Sequence, residues 1–149
     1  MSKFWIRFSC NYIIIRINSI GNKSFWTINY VFIAFGAEEA GLVGSHYFVE
    51  HPLFDLKKIR FLLNTDIMGS GEEGITVVNA TLFKTEFEKL TQINLETKYL
   101  TQVKSRGPAA NSDHYFFTEK GVPAFFVYTM GPNKHYHDIQ DTAEELSYA

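Results

Sequence analysis

Cysteine is almost absent from this sequence: Cys10 stands alone among 149 residues, so no disulfide framework can form within the chain and thiols give no reading of the redox compartment. No stretch reaches the roughly 18 consecutive apolar residues of a membrane span. The N-terminus lacks the marks of a signal peptide, because Arg7 and Arg16 interrupt its apolar runs and no small-residue cleavage site follows one. Internal repeats and low-complexity segments are missing too. The most informative absence is local: residues 1–37 hold Lys3, Arg7, Arg16 and Lys23 but not one Asp, Glu or His. Chemistry that needs a carboxylate or an imidazole therefore lies wholly after residue 37. Four scattered basic residues are weak grounds for a membrane or nucleic-acid contact, and neither partner is expected.

What is present suits a globular domain of ordinary size. Hydrophobic residues make up 46% and charged residues 20%, far from a disordered composition, and 14 Phe with 8 Tyr can fill a substantial core. After residue 37, ten basic residues face sixteen acidic ones, a net charge of −6.

Short apolar runs alternate with helix-length segments from Trp26 onward. Asn29 to Phe35 (NYVFIAF), Ile59 to Asn64 (IRFLLN) and Pro123 to Thr129 (PAFFVYT) read as strands buried on both faces. Shorter strands are expected at Ile75 to Val78 and Tyr99 to Val103. Gly41 to Glu50 reads as a helix opened by a glycine turn. Apolar residues at 82, 83, 87, 90 and 93 fit an amphipathic helix, and Asp113 to Lys120 a short helix closed by Gly121. This alternation predicts an α/β fold with a largely parallel sheet covered on both faces and a site at the carboxyl ends of its strands. Tyr12 to Ile17 (YIIIRI) reads as a possible edge strand, and residues 1–25 as an atypical segment, edge strand or disordered, ahead of a domain spanning 26–149.

Candidate residues fall at those strand ends. Glu38 and Glu39 follow the first buried run. Neighbouring carboxylates point in different directions, so one can ligate a metal while the other takes a proton from a metal-polarised water. Alternatively the pair is a solvated acidic start to a helix, favoured by its dipole. Asp66 ends the second run, as ligand or loop cap. His135 and His137, with Asp138 and Asp141 near in sequence, offer a ligating imidazole with a carboxylate to orient it, or a polar surface loop. Ser112, Asp113 and His114 are adjacent, which does not make a catalytic triad, and no G-x-S-x-G elbow is present.

Four stretches, FIAFGAEEAGLVGSHYF (32–48), LLNTDIMG (62–69), NSDHYFFTEKGVPAFF (111–126) and HYHDIQDT (135–142), together resemble the M-twenty-eight family of zinc-dependent exopeptidases, which includes leucyl-type aminopeptidases and glutaminyl cyclases. The resemblance covers nearly everything after residue 28. It implies a three-layer αβα fold with a mostly parallel central sheet, truncated at its N-terminal side. It implies a peptide substrate and two zinc ions, with Glu38 as general base, Glu39 as ligand of one zinc, Asp66 as ligand of the other, and His137 sharing the zinc of Glu39. Asp113 matches an active-site acid that orients substrate or neighbouring groups. In that family a metal-bound water, deprotonated by the base, attacks the first peptide bond.

The family also carries an upstream histidine in an H-x-D element and a bridging aspartate in a D-N-x-S-G-like stretch. No His or Asp precedes Glu38 here. By resemblance, one zinc keeps Glu39 and His137, the other Asp66 alone, where a catalytic zinc usually has three protein ligands. The expectation is a metallo-aminopeptidase-like hydrolase with an impaired centre. The alternatives are a non-catalytic remnant or binding module and an enzyme of the glutaminyl-cyclase type. The loss of resemblance before residue 28 points to a truncated or frame-shifted reading frame. Relatives are often exported, so the compartment stays open.

Overall fold

The computed structural model describes residues 5–9, 12–18 and 29–146, the first two segments as backbone only. The chain divides into two compact units, Met1–Leu56 and Lys57–Ala149. Among the described residues no helix is long and apolar enough to cross a membrane.

In the first unit, β1 (Trp5–Ser9), β2 (Tyr12–Asn18) and β3 (Asn29–Phe35) form a three-stranded sheet in that order, antiparallel throughout. Only two residues separate β1 from β2, far too few for the crossover a parallel pair needs. The possible edge strand at Tyr12 to Ile17 thus lies in the middle strand; residues 1–4, 10–11 and 19–25 of the atypical segment lie outside the described residues. β3 departs from expectation in its environment. It is a strand over the range read from sequence, but none of its residues is buried, and Tyr30 and Phe32 are 55% and 58% exposed. Val31, Ile33 and Phe35 are half-covered, the period-two pattern of a sheet packed on one face only. Helix α1 (Val43–Glu50) buries Phe48, whose ring meets Phe35 edge-on at 5.9 Å and Phe54 at 5.7 Å.

The second unit holds β4 (Leu62–Thr65), β5 (Gly74–Val78), α2 (Lys84–Thr97), β6 (Val103–Ser105), α3 (His114–Glu119), β7 (Ala124–Met130) and a 3-10 turn at Ala143–Glu145. Its sheet runs β4-β7-β5-β6. The β4–β7 and β5–β6 ladders are parallel, as the sequence predicts, while β5 and β7 run antiparallel, so the sheet is mixed. Alternation along the strands divides the core in two. Ile75, Val77, Phe125 and Val127 pack with Ala80 against Phe87 and Leu90 of α2, together with Phe61, Phe83, Leu100 and Val103. Phe126 faces the other way, where the His114 ring of α3 lies 5.4 Å from it and Phe117 of α3 is fully buried. Helices therefore flank both faces of this α/β unit.

The strand expected at 99–103 begins only at Val103. Helix α2 runs on to Thr97 and stops with Lys98 at φ 54. Asn94 then holds the following turn through both of its side-chain atoms, accepting from the Leu100 amide at 2.9 Å and donating to the Leu100 carbonyl at 3.0 Å.

Candidate active site

Glu38 and Glu39 lie in a tight loop between β3 and α1. The Glu38 carbonyl accepts the amides of Gly41 at 2.9 Å and Leu42 at 2.7 Å, and Gly36 and Ala37 accept those of Gly44 and Val43. Holding that path takes a positive φ at three residues, Ala37 (56°), Gly41 (102°) and Leu42 (59°). Helix α1 starts only at Val43 and has no acidic residue in its first turn. The acidic pair therefore does not open the helix, which removes the dipole-based reading of it. Glu38 is half-buried and Glu39 exposed.

Asp66 leaves the carboxyl end of β4, its amide bonded to Val127 O at 3.2 Å, one step beyond the Thr65–Val127 pair of the parallel ladder. Its carboxylate Oδ2 accepts the Ser112 hydroxyl at 2.9 Å, and Ser112 Oγ in turn accepts Asn64 Nδ2 at 2.7 Å. Ile67 follows with φ 58°, a strained position for a β-branched residue. Its carbonyl is held there by the Thr129 amide at 3.1 Å and hydroxyl at 3.0 Å. Strain of this kind, on the order of 1–3 kcal/mol, persists only where surrounding contacts impose it.

The Asp66–Ser112 bond brings together two stretches 46 residues apart in sequence. Asp113, next in the chain and at the N-terminus of α3, is buried at 9% exposure. The sequence assigns no role to Asn64, and offers Ser112 only as part of the adjacent Ser-Asp-His. The short contact to Asp66 takes its one proton, and His114 supplies no base to it. The His114 ring is 1% exposed and near the backbone of Ala109 and Ser112, but neither ring nitrogen has a full hydrogen-bond partner. Burial pushes this imidazole down to a pKa of about 4, against weak opposition from those two backbone groups, so it is neutral at pH 7. An open cavity of about 220 Å³ is lined by His114, Asn79, Pro108 and Tyr115 among others, but by neither Asp66 nor His137.

His137 lies on the loop that follows β7. The loop is shaped by short-range bonds, His135 N to Asn133 Oδ1 at 2.8 Å and Gln140 N to Asp138 Oδ1 at 3.0 Å, of the kind Asn and Asp make in turns. Asp138 thus shapes the backbone here, and His135 provides the carbonyl that accepts the Asp138 amide. His137 is exposed, with φ 59° and its ring 4.0 Å from that of Tyr136. Residues Ala37, Ile67 and His137, each with φ between 56° and 59°, sit at or beside three of the predicted site positions.

Carboxylate and imidazole donors such as Glu39, Asp66 and His137 are chemically suited to zinc. Even so, among the described residues no three His, Cys, Asp or Glu side chains are gathered so that they could hold a metal ion. The described residues do not make a complete metal centre.

A model of peptidase family M28 matches residues 17–149. The chain belongs to that family. Aminopeptidase YwaD of Bacillus subtilis is 31% identical over 130 residues, covering 78% of this chain and 27% of its own length. Among solved structures, the zinc aminopeptidase BSAP of Bacillus subtilis superposes with a TM-score of 0.66 at 26% identity, over 80% of this chain and 31% of the other. The aminopeptidase of Aneurinibacillus sp. strain AM-1 gives 0.63 at 26% identity, over 80% and 29%. LapA of Legionella pneumophila, at 17% identity, shares the fold with a TM-score of 0.73 over 98% of this chain and 55% of its own. The chain thus spans about a third or less of the Bacillus and Aneurinibacillus relatives it matches.

Proposed function

We propose that this chain is a metallo-aminopeptidase-like hydrolase acting at the amino end of peptides, and that these 149 residues by themselves catalyse poorly. Membership of the family supports the hydrolase class, and the zinc aminopeptidases among its structural relatives support zinc as the metal. In this reading Glu38 is the base that accepts a proton from the attacking water and returns it to the leaving amine. Glu39, Asp66 and His137 are metal ligands, and Asp113 is the buried acid that helps position substrate. Zinc, when bound, would polarise the carbonyl and the water.

The observation that carries the second half is that the described residues gather no three ligating side chains. Two ligands at one zinc and one at the other, as the family resemblance implies, fall short of the usual three. The test is zinc content and aminopeptidase rate on a leucyl-anilide, with and without added zinc, beside the Bacillus subtilis aminopeptidase. Sub-stoichiometric, easily dialysed zinc and a rate at least about a hundredfold lower are expected, in line with what loss of metal-site groups costs. Stoichiometric, tightly held zinc together with a relative-like rate would overturn the proposal. A glutaminyl substrate in the same assay separates hydrolysis from cyclisation.

A further inference from the structure

Asn64, Ser112 and Asp66 form a chain of hydrogen bonds whose direction is fixed by proton counting. Ser112 Oγ lies 2.7 Å from Asn64 Nδ2 and 2.9 Å from Asp66 Oδ2. A serine hydroxyl has one proton, and an ionised carboxylate has none. The contact to Asp66 therefore uses the serine's proton, and Ser112 offers Asn64 only a lone pair. Asn64 can meet that lone pair only with its NH2 group. Ser112 is 1% exposed, so solvent does not compete for its hydroxyl, while Asn64 and Asp66 are half-buried. Asn64 lies in β4 and Asp66 directly follows its last residue, Thr65, and the side chains of both meet Ser112.

We infer that Asn64 is a positioning residue: by occupying the lone pair of Ser112 it commits the serine's proton to Asp66, and so fixes the direction in which the second carboxylate oxygen is presented. This deepens, and for its use in catalysis rests on, the reading of Asp66 as a functional carboxylate. The relay itself does not depend on that reading. Its chemistry is the same as that of the hydrogen-bonded partners that orient ligating carboxylates in metal sites.

A double-mutant cycle read at Asp66 tests it. The Asp66 side-chain carboxyl carbon resonance is recorded at neutral pH in the full chain for the native sequence, Asn64→Leu, Ser112→Ala and the double variant. Amide spectra report whether each variant is folded. Asn64→Leu is expected to move the Asp66 resonance in the native background and to leave it unmoved in the Ser112→Ala background. An unmoved resonance in Asn64→Leu, or the same displacement in both backgrounds, overturns the relay. Should Ser112→Ala not fold, Ser112→Cys takes its place; the thiol is a weaker donor, so the effect of Asn64→Leu should shrink rather than vanish. Peptidase activity is not read, so an inactive chain leaves the result standing, and failure of the relay leaves the role of Asp66 to the zinc assay.

Discussion

Two strands of nearly the same character meet different fates in this molecule. NYVFIAF in β3 and AFFVYTM in β7 are both continuous apolar runs rich in β-formers. The first four residues of β7 are buried, with Phe126 at 1% exposure, whereas β3 buries none and leaves Phe32 at 58%. The difference lies in what covers each strand. β7 sits inside a four-stranded sheet with α2 packed on one face and α3 on the other. β3 shows the alternating burial of a sheet with one covered face. An apolar run reports that a strand can be buried on two faces; the elements around it decide whether it is.

The largest expected effect tests that comparison directly. Phe126→Ala removes a fully enclosed ring and should cost about 3–5 kcal/mol, while Phe32→Ala should stay within about 0.5 kcal/mol. Urea unfolding followed by a probe for each unit checks both, since two compact units need not unfold as one. A cost at Phe32 equal to that at Phe126 would mean that the exposed face of β3 is covered in solution.

The second effect, somewhat smaller, belongs to the well-covered region. An unfolded His114 takes up a proton near its ordinary pKa of 6.5, whereas the buried ring does so only near 4. Stability is therefore fully present above pH 6.5 and is lost as pH falls toward 4, by about 3 kcal/mol in total. In His114→Phe, the urea midpoint of the second unit should be flat with respect to this group across the window. If the native sequence keeps a constant midpoint from pH 6.5 to 4, the ring is not buried as a neutral group.

The same contrast explains what could be read from the sequence. The α/β alternation and the strands read at 29–35 and 123–129, observed at 29–35 and 124–130, are legible because they depend on local pattern and spacing. The late start of β6 was not, because it turns on the side chain of Asn94 folding back on Leu100. Nor was the antiparallel β5–β7 ladder, since strand periodicity carries no direction. At the site, Asp66 could be proposed from its place after an apolar run. Its partner Ser112 could not, because the bond joins residues 46 apart and exists only once β4 and α3 are packed. Ser112 was visible merely as part of an adjacent Ser-Asp-His, where the tempting chemistry was the wrong one for that hydroxyl.

The smallest effect asks whether the two units differ in anything besides coverage. Ala37, beside Glu38 in the first unit, and Lys98, at the end of α2 in the second, are both exposed and both strained, with φ of 56° and 54°. Glycine at either position keeps the backbone bonds already made there, Val43 N to Ala37 O and Lys98 N to Asn94 O. It relieves about 1–2 kcal/mol of left-handed strain against an entropic cost of about 0.5–1 kcal/mol. Ala37→Gly and Lys98→Gly should therefore each raise stability by about 0.5–1 kcal/mol, read as matched rises in urea midpoint. Matched gains mean that local backbone energetics are alike in the two units and that coverage alone separates them. A loss at Ala37 with a gain at Lys98 would show instead that the loop bearing Glu38 and Glu39 is held by the alanine methyl as well as by its backbone. The strain at Ala37 would then be part of how the acidic pair is presented.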